Sequence, residues 1–270
     1  MDDRPIGVFD SGLGGLTTVR ELCRLLPEED IVYFGDTGRV PYGSRSRETI
    51  VKYARQDVAF LRTFDLKTIV IACGTVSTTA LDVLAAENPI PVLGVVAPAA
   101  RAAARATRSG SIGLIGTQAS IRSGAYERLI RAENPAARVL AQPCPLFVPL
   151  VENGRFRPGD VVIETVAAEY LAPLKEAGVD ALVLGCTHYP LLEKVIGAYM
   201  GPEVRLINSG AEGARAAADC LRERDALAGP GRGSCRCFVS DRQEDFFRPA
   251  STFLGWDVAQ AVEQVDISQY

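Results

Sequence analysis

Two segments of the chain share one pattern, and this pattern constrains the fold more than any other feature. Residues 68–75 read TIVIACGT and residues 181–188 read ALVLGCTH. Each is a short aliphatic run, typical of a strand buried in a parallel sheet, and each ends in a cysteine with a threonine close behind. Open α/β sheets bind their ligands beyond the carboxyl ends of the strands. The pattern therefore predicts two thiols, Cys73 and Cys186, that approach one site from two sides.

The rest of the chain alternates short apolar runs with amphipathic stretches, which indicates an α/β fold with a mainly parallel sheet. A weak internal duplication, residues 6–10 (IGVFD) against residues 112–116 (IGLIG), indicates two similar half-units with the site between them. We also expect a helix over residues 77–86, a late strand over residues 235–239, and an amphipathic helix that Pro173 kinks or ends.

Composition argues against several classes of protein. The 270 residues are 47% hydrophobic and carry a net charge of −4 with no basic block. This charge argues against nucleic acid or an anionic membrane surface as a partner. No apolar run approaches the ~20 residues of a membrane span, and the N-terminus lacks the apolar stretch of a signal peptide. Seven cysteines without a disulfide-like spacing fit reduced thiols, so we expect a cytoplasmic protein.

The cysteines fall into two groups. Free cysteine commonly packs as a small apolar side chain, and we interpret Cys23, Cys144 and Cys220 in this way. Cys73 and Cys186 differ because each lies at a predicted strand-to-helix transition, where a helix N-terminus lowers the pKa of a thiol. Position alone is compatible with a catalytic pair and equally with two inert core residues. A catalytic pair would suit removal of a proton from one face of a carbon and its return on the other.

Cys235 and Cys237 have a spacing that invites a metal interpretation. Two ligands cannot complete a tetrahedral site, and the sequence nearby has no other cluster of cysteine or histidine. Residues i and i+2 of a strand share a face, so both thiols can simply pack. We predict no metal site.

Further polar residues lie near the predicted strand ends. His188, the only histidine, is either structural or placed to assist proton transfer at Cys186. Glu152, an acid among apolar residues, is either a solvated loop residue or a partner that orients a histidine. Asp10 and Ser11 open a glycine-rich loop that matches neither the dinucleotide motif nor the P-loop. An acid and a hydroxyl there suit an ammonium ligand or a positioned base, and equally a helix N-cap.

Together these residues resemble the glutamate racemases of the aspartate/glutamate racemase superfamily. The resemblance covers most of the chain. It rests on motifs in the same order, at residues 8–15 (VFDSGLGG), 35–43 (GDTGRVPYG), 72–75 (ACGT), 116–117 (GT) and 185–192 (GCTHYPLL).

The resemblance implies two pseudo-symmetric α/β domains with the active site in the cleft between them. The first domain would comprise residues 1–97 plus 208–270, and the second residues 98–207. The implied protein is a homodimer that supplies D-glutamate for bacterial peptidoglycan, and thereby serves cell-wall biogenesis and cell shape.

The mechanism implied by the resemblance uses two bases and no cofactor. Cys73 would deprotonate D-glutamate, and Cys186 would deprotonate L-glutamate. Asp10 would assist Cys73. His188, with Glu152 behind it, would assist Cys186.

Asp36 is implied as a further acid near the first thiol. A larger set of residues is implied to hold the carboxylates and the amine of the substrate: Asp10, Ser11, Pro41, Tyr42, Gly43, Gly74, Thr75, Thr117, Thr187 and His188. The chain departs from the family at Gly74, where asparagine is usual. Glycine keeps the backbone N–H, but the side-chain amide is missing, and a water would have to replace its contact.

The chemistry is consistent with the absence of a cofactor motif. Many racemases hold pyridoxal phosphate through a lysine and use it as an electron sink. None of the four lysines lies at a predicted strand end beside a phosphate-type loop, so we predict no cofactor. Without a sink, the carbanion needs preorganised donors near the carboxylate. The hydroxyls of Ser11, Thr75 and Thr187 and nearby backbone N–H groups are candidates.

Three alternatives stay open. A racemase of aspartate or another small amino acid uses the same chemistry, although the Cys-Thr-His order at residues 186–188 favours glutamate, since aspartate relatives tend to have an acid after Cys-Thr. A binding or regulatory protein could use the same scaffold without turnover, as for relatives linked to DNA gyrase, and Gly74 would then mark a drifted site. A cysteine hydrolase needs one nucleophile and one base and leaves the second cysteine unexplained.

Overall fold

The structure, a computed structural model, describes residues 1–256 and 262–270. Strands alternate with helices along most of these ranges, and every pair of neighbouring strands is parallel. The prediction of an α/β fold with parallel sheets is confirmed.

The strands are β1 (Ile6–Asp10), β2 (Ile31–Gly35), β3 (Thr68–Ile71), β4 (Val92–Gly94), β5 (Ser111–Gly116), β6 (Arg138–Pro143), β7 (Ala181–Leu184), β8 (Arg205–Asn208), β9 (Cys235–Val239) and β10 (Val262–Gln264). The helices are α1 (Leu16–Leu25), α2 (Arg47–Leu61), α3 (Gly74–Thr79), α4 (Leu81–Glu87), α5 (Val96–Ala106), α6 (Gln118–Arg122), α7 (Ala125–Glu133), α8 (Phe147–Glu152), α9 (Val161–Glu176), α10 (Glu193–Met200), α11 (Ser209–Glu223) and α12 (Glu244–Leu254). Short 3₁₀ turns cover Tyr42–Ser44, Tyr189–Leu192 and Ile267–Gln269.

The strands form two separate sheets. The first has the order β10-β9-β2-β1-β3-β4, and the second has the order β6-β5-β7-β8. In the first sheet β3 lies beside β1, with Thr68 level with Ile6. In the second sheet β7 lies beside β5, with Ala181 level with Ile112. The two strands that precede the cysteines therefore occupy corresponding places beside the two strands that the internal duplication relates.

Burial explains why these two strands read as continuous apolar runs. All residues of β3 and of β7 are buried. A parallel strand covered on both faces has no polar side to alternate with. One hydrophobic cluster contains residues from both sheets, among them Val8, Val70, Ile115 and Leu184, so the two sheets share part of their core.

Some predicted elements differ from the observed ones. The predicted helix over residues 77–86 is wrong as a single element, because Ala80 separates α3 from α4. Helix α9 continues through Pro173 to Glu176, so the proline does not end it. The predicted late strand over residues 235–239 is confirmed as β9.

The two predicted domain ranges agree in part with the division of the strands into two sheets. Strands of the first sheet fall within residues 6–94 and 235–264, and those of the second within residues 111–208. The domain boundaries themselves stay a prediction, and residues 257–261 of the first range lie outside the described residues. In the part of the chain that the structure describes, every helix is too short or too polar to cross a bilayer.

Candidate active site

A cavity of about 350 Å³ lies beyond the carboxyl ends of β3 and β7, between loops of the two sheets. This volume is in the range of small-molecule sites. Its wall contains both thiols and ten other residues that the sequence analysis selected: Ser11, Pro41, Tyr42, Gly43, Gly74, Thr75, Thr117, Glu152, Thr187 and His188. Asp10 and Asp36 are buried behind the wall.

Cys73 follows β3 and is the N-cap residue of α3. Its Sγ lies 3.4 Å from Oγ of Ser11, and the side chain is buried. Burial, together with the nearby charge of Asp10, raises the pKa of Cys73 to about 12, although the contacts with Ser11 and with the backbone N–H of Val76 act in the opposite direction. The expected net lowering of the pKa of this thiol is therefore wrong, because the helix N-terminus acts in the predicted direction but desolvation outweighs it.

Cys186 lies two residues beyond the end of β7, in a tight loop with Thr187 and His188. Its Sγ is 3.9 Å from Nδ1 of His188. On the other side of the ring, Nε2 of His188 is 3.0 Å from Oε1 of Glu152, which is the last residue of α8. Burial acts to lower the pKa of His188, but the hydrogen bonds with Cys186 and Glu152 outweigh it and raise the pKa to about 10. The imidazole is therefore positively charged at neutral pH.

Asp10 ends β1 beneath the cavity. Its Oδ1 accepts a hydrogen bond from the backbone N–H of Gly12 at 3.1 Å, and the hydroxyl of Thr187 lies 3.5 Å from its Oδ2. Burial raises the pKa of Asp10, while the positive charge of His188 acts against that rise. Asp10 thus connects the loop after β1 to the loop after β7.

Hydroxyl groups from the two sheets meet across the cavity. Oγ1 of Thr75 lies 3.0 Å from Oγ1 of Thr117, which also lies 3.0 Å from Oγ of Ser120. The hydroxyl of Thr17 donates to the backbone oxygen of Thr187 at 2.9 Å. These contacts hold polar groups from both halves of the chain at one small site.

Two glycines allow the loops to approach this closely. A Cβ atom at Gly14 would clash with the side chain of Thr187 and would lie 2.6 Å from Nδ1 of His188. A Cβ atom at Gly74 would lie 2.5 Å from the backbone oxygen of Gly185. Gly74 therefore lets the loop after β3 approach the loop after β7 more closely in this structure than a residue with a side chain would.

The hydrogen bonds of the Asp36 side chain go to residues other than the two thiols. Its Oδ1 accepts from the hydroxyl of Ser240 at 2.7 Å, and its Oδ2 accepts from Nε of Arg39 at 2.6 Å and from the hydroxyl of Tyr42. The carboxylate is fully buried and contacts the loop that carries Pro41 and Tyr42. This arrangement fits a residue that positions the loop better than one that exchanges protons with substrate.

Of the remaining cysteines, only Cys144 is on the cavity wall, where its thiol donates to the backbone oxygen of Gln142 at 3.6 Å. Cys23 and Cys220 are half-buried on helices, and Cys144 is buried and lines the cavity. Sγ of Cys235 and Sγ of Cys237 are 4.0 Å apart on β9. Within residues 1–256 and 262–270, no three His, Cys, Asp or Glu side chains are grouped as metal ligands would be.

A family model described as Asp/Glu/Hydantoin racemase matches residues 9–217, a span that contains both cysteine strands and every residue of the cavity wall. The chain belongs to this racemase family.

Relatives within the racemase family are similar over nearly the whole chain. The glutamate racemase of Geobacter metallireducens is 49% identical over 256 residues, which is 94% of each chain. The crystal structure of glutamate racemase from Francisella tularensis in complex with D-glutamate matches with a TM-score of 0.92 at 38% identity and covers 100% of both chains. The structure of the Thermus thermophilus glutamate racemase in complex with β-chloro-D-alanine matches with a TM-score of 0.89 at 44% identity, again over 100% of both chains.

Part of the cavity wall was not predicted from the sequence of this family member. The unselected lining residues are Gly12, Val40, Ser44, Gln118, Cys144, Pro145, Val148, Pro149 and Gly185. Several belong to the segment that leads into α8 and ends at Glu152. The apolar run next to Glu152 was the sequence feature that could have predicted these residues. If Glu152 contacts a buried histidine, the residues beside it in the chain must lie near the same site.

Proposed function

We propose that this member of the racemase family is a glutamate racemase that interconverts L- and D-glutamate by proton transfer between two thiols. The observation that carries the proposal is the placement of Cys73 and Cys186, from corresponding strand ends of two sheets, on the wall of one cavity. The relatives that match at high coverage bear the name glutamate racemase, and one of them was crystallised with D-glutamate.

On the Cys186 side, we assign Cys186 as the base for L-glutamate. The charged imidazole of His188 lies 3.9 Å from its sulfur and stabilises negative charge there. The Cys186 thiolate takes the α-proton and becomes a thiol. Glu152 holds the imidazole from behind through its contact at 3.0 Å.

On the Cys73 side, burial keeps the sulfur protonated before this reaction begins, because its pKa is raised to about 12. The Cys73 thiol gives its proton to the opposite face of the α-carbon, which forms D-glutamate and leaves a Cys73 thiolate. The reverse reaction begins from that thiolate. When D-glutamate is the first substrate, Asp10, whose own pKa is raised by burial, assists by accepting the proton of the Cys73 thiol, so that the Cys73 thiolate forms beside an uncharged carboxyl group.

The carbanion between the two transfers needs fixed hydrogen-bond donors. We assign this role to the hydroxyls of Ser11, Thr75, Thr117 and Thr187, which line the cavity, and to backbone N–H groups beside them. The proton lost by one thiol equals the proton gained by the other, so the proposed reaction balances without a further reactant.

The wider parts of the proposal follow from the family. We propose that the product supplies D-glutamate for peptidoglycan, that the protein is a cytoplasmic homodimer, and that its two domains comprise residues 1–97 plus 208–270 and residues 98–207. The distribution of the strands over the two sheets supports this division.

Polarimetry of purified protein with L-glutamate, D-glutamate and L-aspartate in separate cells, without added cofactor, tests the function. We expect the rotation of both glutamate enantiomers to decay to zero and that of aspartate to stay constant. Decay with aspartate alone would move the assignment to aspartate. Constant rotation in all three cells would contradict racemisation and favour the non-catalytic binding protein.

A further inference from the structure

A buried polar network supports the loop between residues 37 and 44, and the two-thiol reaction does not use it. Asp57 lies on α2 with no exposed surface. Its Oδ1 accepts from Nη2 of Arg39 at 2.9 Å, and its Oδ2 lies 3.1 Å from Oη of Tyr42. The same Tyr42 oxygen forms a short hydrogen bond with Oδ2 of Asp36. The network thus joins two aspartates through one tyrosine hydroxyl.

The contacts among Asp36, Tyr42 and Asp57 require one hydrogen more than two ionised aspartates and a neutral tyrosine supply. Tyr42 has a single hydroxyl hydrogen but contacts carboxylate oxygens of both Asp36 and Asp57. A carboxylate has no donor. If both aspartates were ionised, one of the two contacts would set a lone pair against a lone pair in a buried place, which is costly. One of the two carboxyl groups therefore carries a hydrogen.

The partners of the two aspartates decide which one carries it. Both oxygens of Asp36 already accept, Oδ1 from the hydroxyl of Ser240 and Oδ2 from Nε of Arg39. The Ser240 hydroxyl donates to Asp36, which is its one acceptor among the described residues, while its oxygen accepts from the backbone N–H of Gly38 at 2.8 Å. On Asp57, Oδ2 has no donor besides Tyr42 among the described residues. The hydrogen therefore belongs on Oδ2 of Asp57, from which it is donated to Tyr42, while Tyr42 donates to Asp36.

Charge leads to the same assignment. The groups that face Asp57 are Arg39, Tyr42, Asp36 and, at longer range, Asp10. One guanidinium balances one carboxylate, and a second buried negative charge would be unpaired. Burial first, and the neighbouring charge of Asp36 second, raise the pKa of Asp57 well above its usual value. Burial also raises the pKa of Tyr42, so the phenol keeps its hydrogen.

The network connects to the cavity through the loop it holds. Tyr42 and Gly43 line the cavity, as do Val40 and Pro41 before them. A Cβ atom at Gly43 would lie 3.0 Å from Cβ of Thr117, so this loop closes against the second sheet. The orientation of the Tyr42 ring, fixed by its two aspartate partners, therefore sets the position of one wall of the site.

We propose that Asp57 is a protonated, positioning residue, which holds the loop over residues 37–44 against the cavity through the chain Asp57–Tyr42–Asp36. The kinetic consequence rests on the proposed racemase function, whereas the protonation of Asp57 does not. Asp57 touches no substrate in this account and acts only through Tyr42.

The test compares D57N with D57A. An asparagine amide donates to Tyr42 and accepts from Arg39, as the neutral acid does, so D57N keeps KM and kcat for glutamate. Alanine leaves Arg39 and Tyr42 without these partners, and we expect D57A to raise KM about tenfold with a smaller change in kcat. Equal damage in D57N and D57A would overturn the proposal, because it would show that the charge of Asp57 is required.

Two measurements need no activity and so separate this proposal from the racemase assignment. The infrared difference spectrum of the wild type minus D57N at neutral pH should contain the carbonyl band of one protonated carboxyl group. Its absence would overturn the proposal even if racemisation is intact. The free energy of unfolding of the wild type should fall relative to D57N as the pH rises above about 4, since only the unfolded state then releases this proton. A difference that is constant with pH would show an ordinary ionised Asp57 and would likewise overturn it.

Discussion

Nδ1 of His188 lies 3.9 Å from Sγ of Cys186, and because His188 is the only histidine in the chain, Cys73 has no equivalent partner. The sulfur of Cys73 lies instead 3.4 Å from the hydroxyl of Ser11. One thiol therefore has a cationic partner and the other a neutral one. The two halves of the proposed reaction should respond differently when these partners are changed.

Replacement of His188 by asparagine should slow the Cys186 half-reaction more than the Cys73 half-reaction. Loss of the charged partner removes the stabilisation of a Cys186 thiolate, and we expect α-proton removal from L-glutamate to slow about 10- to 100-fold. Single-turnover measurements with each enantiomer would show this difference. Glu152→Gln serves as the matched control, with a smaller effect in the same direction. Equal slowing from L- and D-glutamate would contradict the assignment of His188 to Cys186.

Either thiol alone should be insufficient for racemisation. Loss of a general base costs about 10²- to 10⁴-fold, and each turnover uses both sulfurs, so Cys73→Ala and Cys186→Ala should each abolish detectable activity. Cys220→Ala is the control, because that half-buried thiol on α11 is not on the cavity wall. Polarimetry gives the rates, and circular dichroism shows whether each variant is folded. A folded single variant with near-normal turnover would contradict the two-thiol mechanism.

Gly74 should resist even a methyl group. A Cβ atom there would lie 2.5 Å from the backbone oxygen of Gly185, so Gly74→Ala should destabilise the fold by about 1–3 kcal/mol through overpacking. The control is Gly197→Ala on α10, where the nearest atom would be 3.7 Å away and helix propensity favours alanine by about 0.5–1 kcal/mol. Urea unfolding measures both variants. A Gly74→Ala protein as stable as Gly197→Ala would show that the two loops are not in close contact.

The stability of the protein should depend on pH through His188. Its pKa is raised from 6.5 to about 10 in the fold, so its contribution is complete below pH 6.5 and is lost as the pH rises toward 10. Over that interval the folded protein holds a proton that the unfolded chain has released. The free energy of unfolding of the wild type relative to His188→Asn should therefore fall by up to about 1.4 kcal/mol per pH unit. A difference that does not vary between pH 6.5 and 10 would mean that the imidazole is uncharged in the fold.

The sequence predicted the fold best where burial produces a simple pattern of apolar residues. The strands before Cys73 and Cys186 are covered on both faces, so they read as apolar runs, and their ends could be located from the pattern alone. Strand β6 gave no such pattern, because it is only partly buried at the edge of its sheet and its residues form neither a long apolar run nor a regular alternation. Helix α8 is only six residues long and contains Pro149, which hides its helical periodicity.

The pKa shifts and charged contacts of the site could not be predicted from a local sequence pattern. The position of Cys73 at the start of a helix indicated a lowered pKa, but the opposite result follows from the depth of burial and from Asp10, which is distant in sequence. Asp36 was selected as an acid near the first thiol, yet its partners are Arg39, Tyr42 and Ser240. Ser240 is 204 residues further along the chain than Asp36, and no local sequence pattern predicts the contact between them.

The most direct test of two thiols on opposite faces is the racemisation of L-glutamate in D₂O, stopped within the first few per cent of conversion, with the enantiomers separated by chiral chromatography and their deuterium content measured by mass spectrometry. Cys186 would remove a protium, and Cys73, equilibrated with solvent, would deliver a deuteron to the other face. We therefore predict that the first D-glutamate formed carries deuterium at the α-carbon while the remaining L-glutamate keeps its protium. Protium in the D-glutamate, or deuterium entering the unreacted L-glutamate at the same rate, would indicate a single base and would contradict the account.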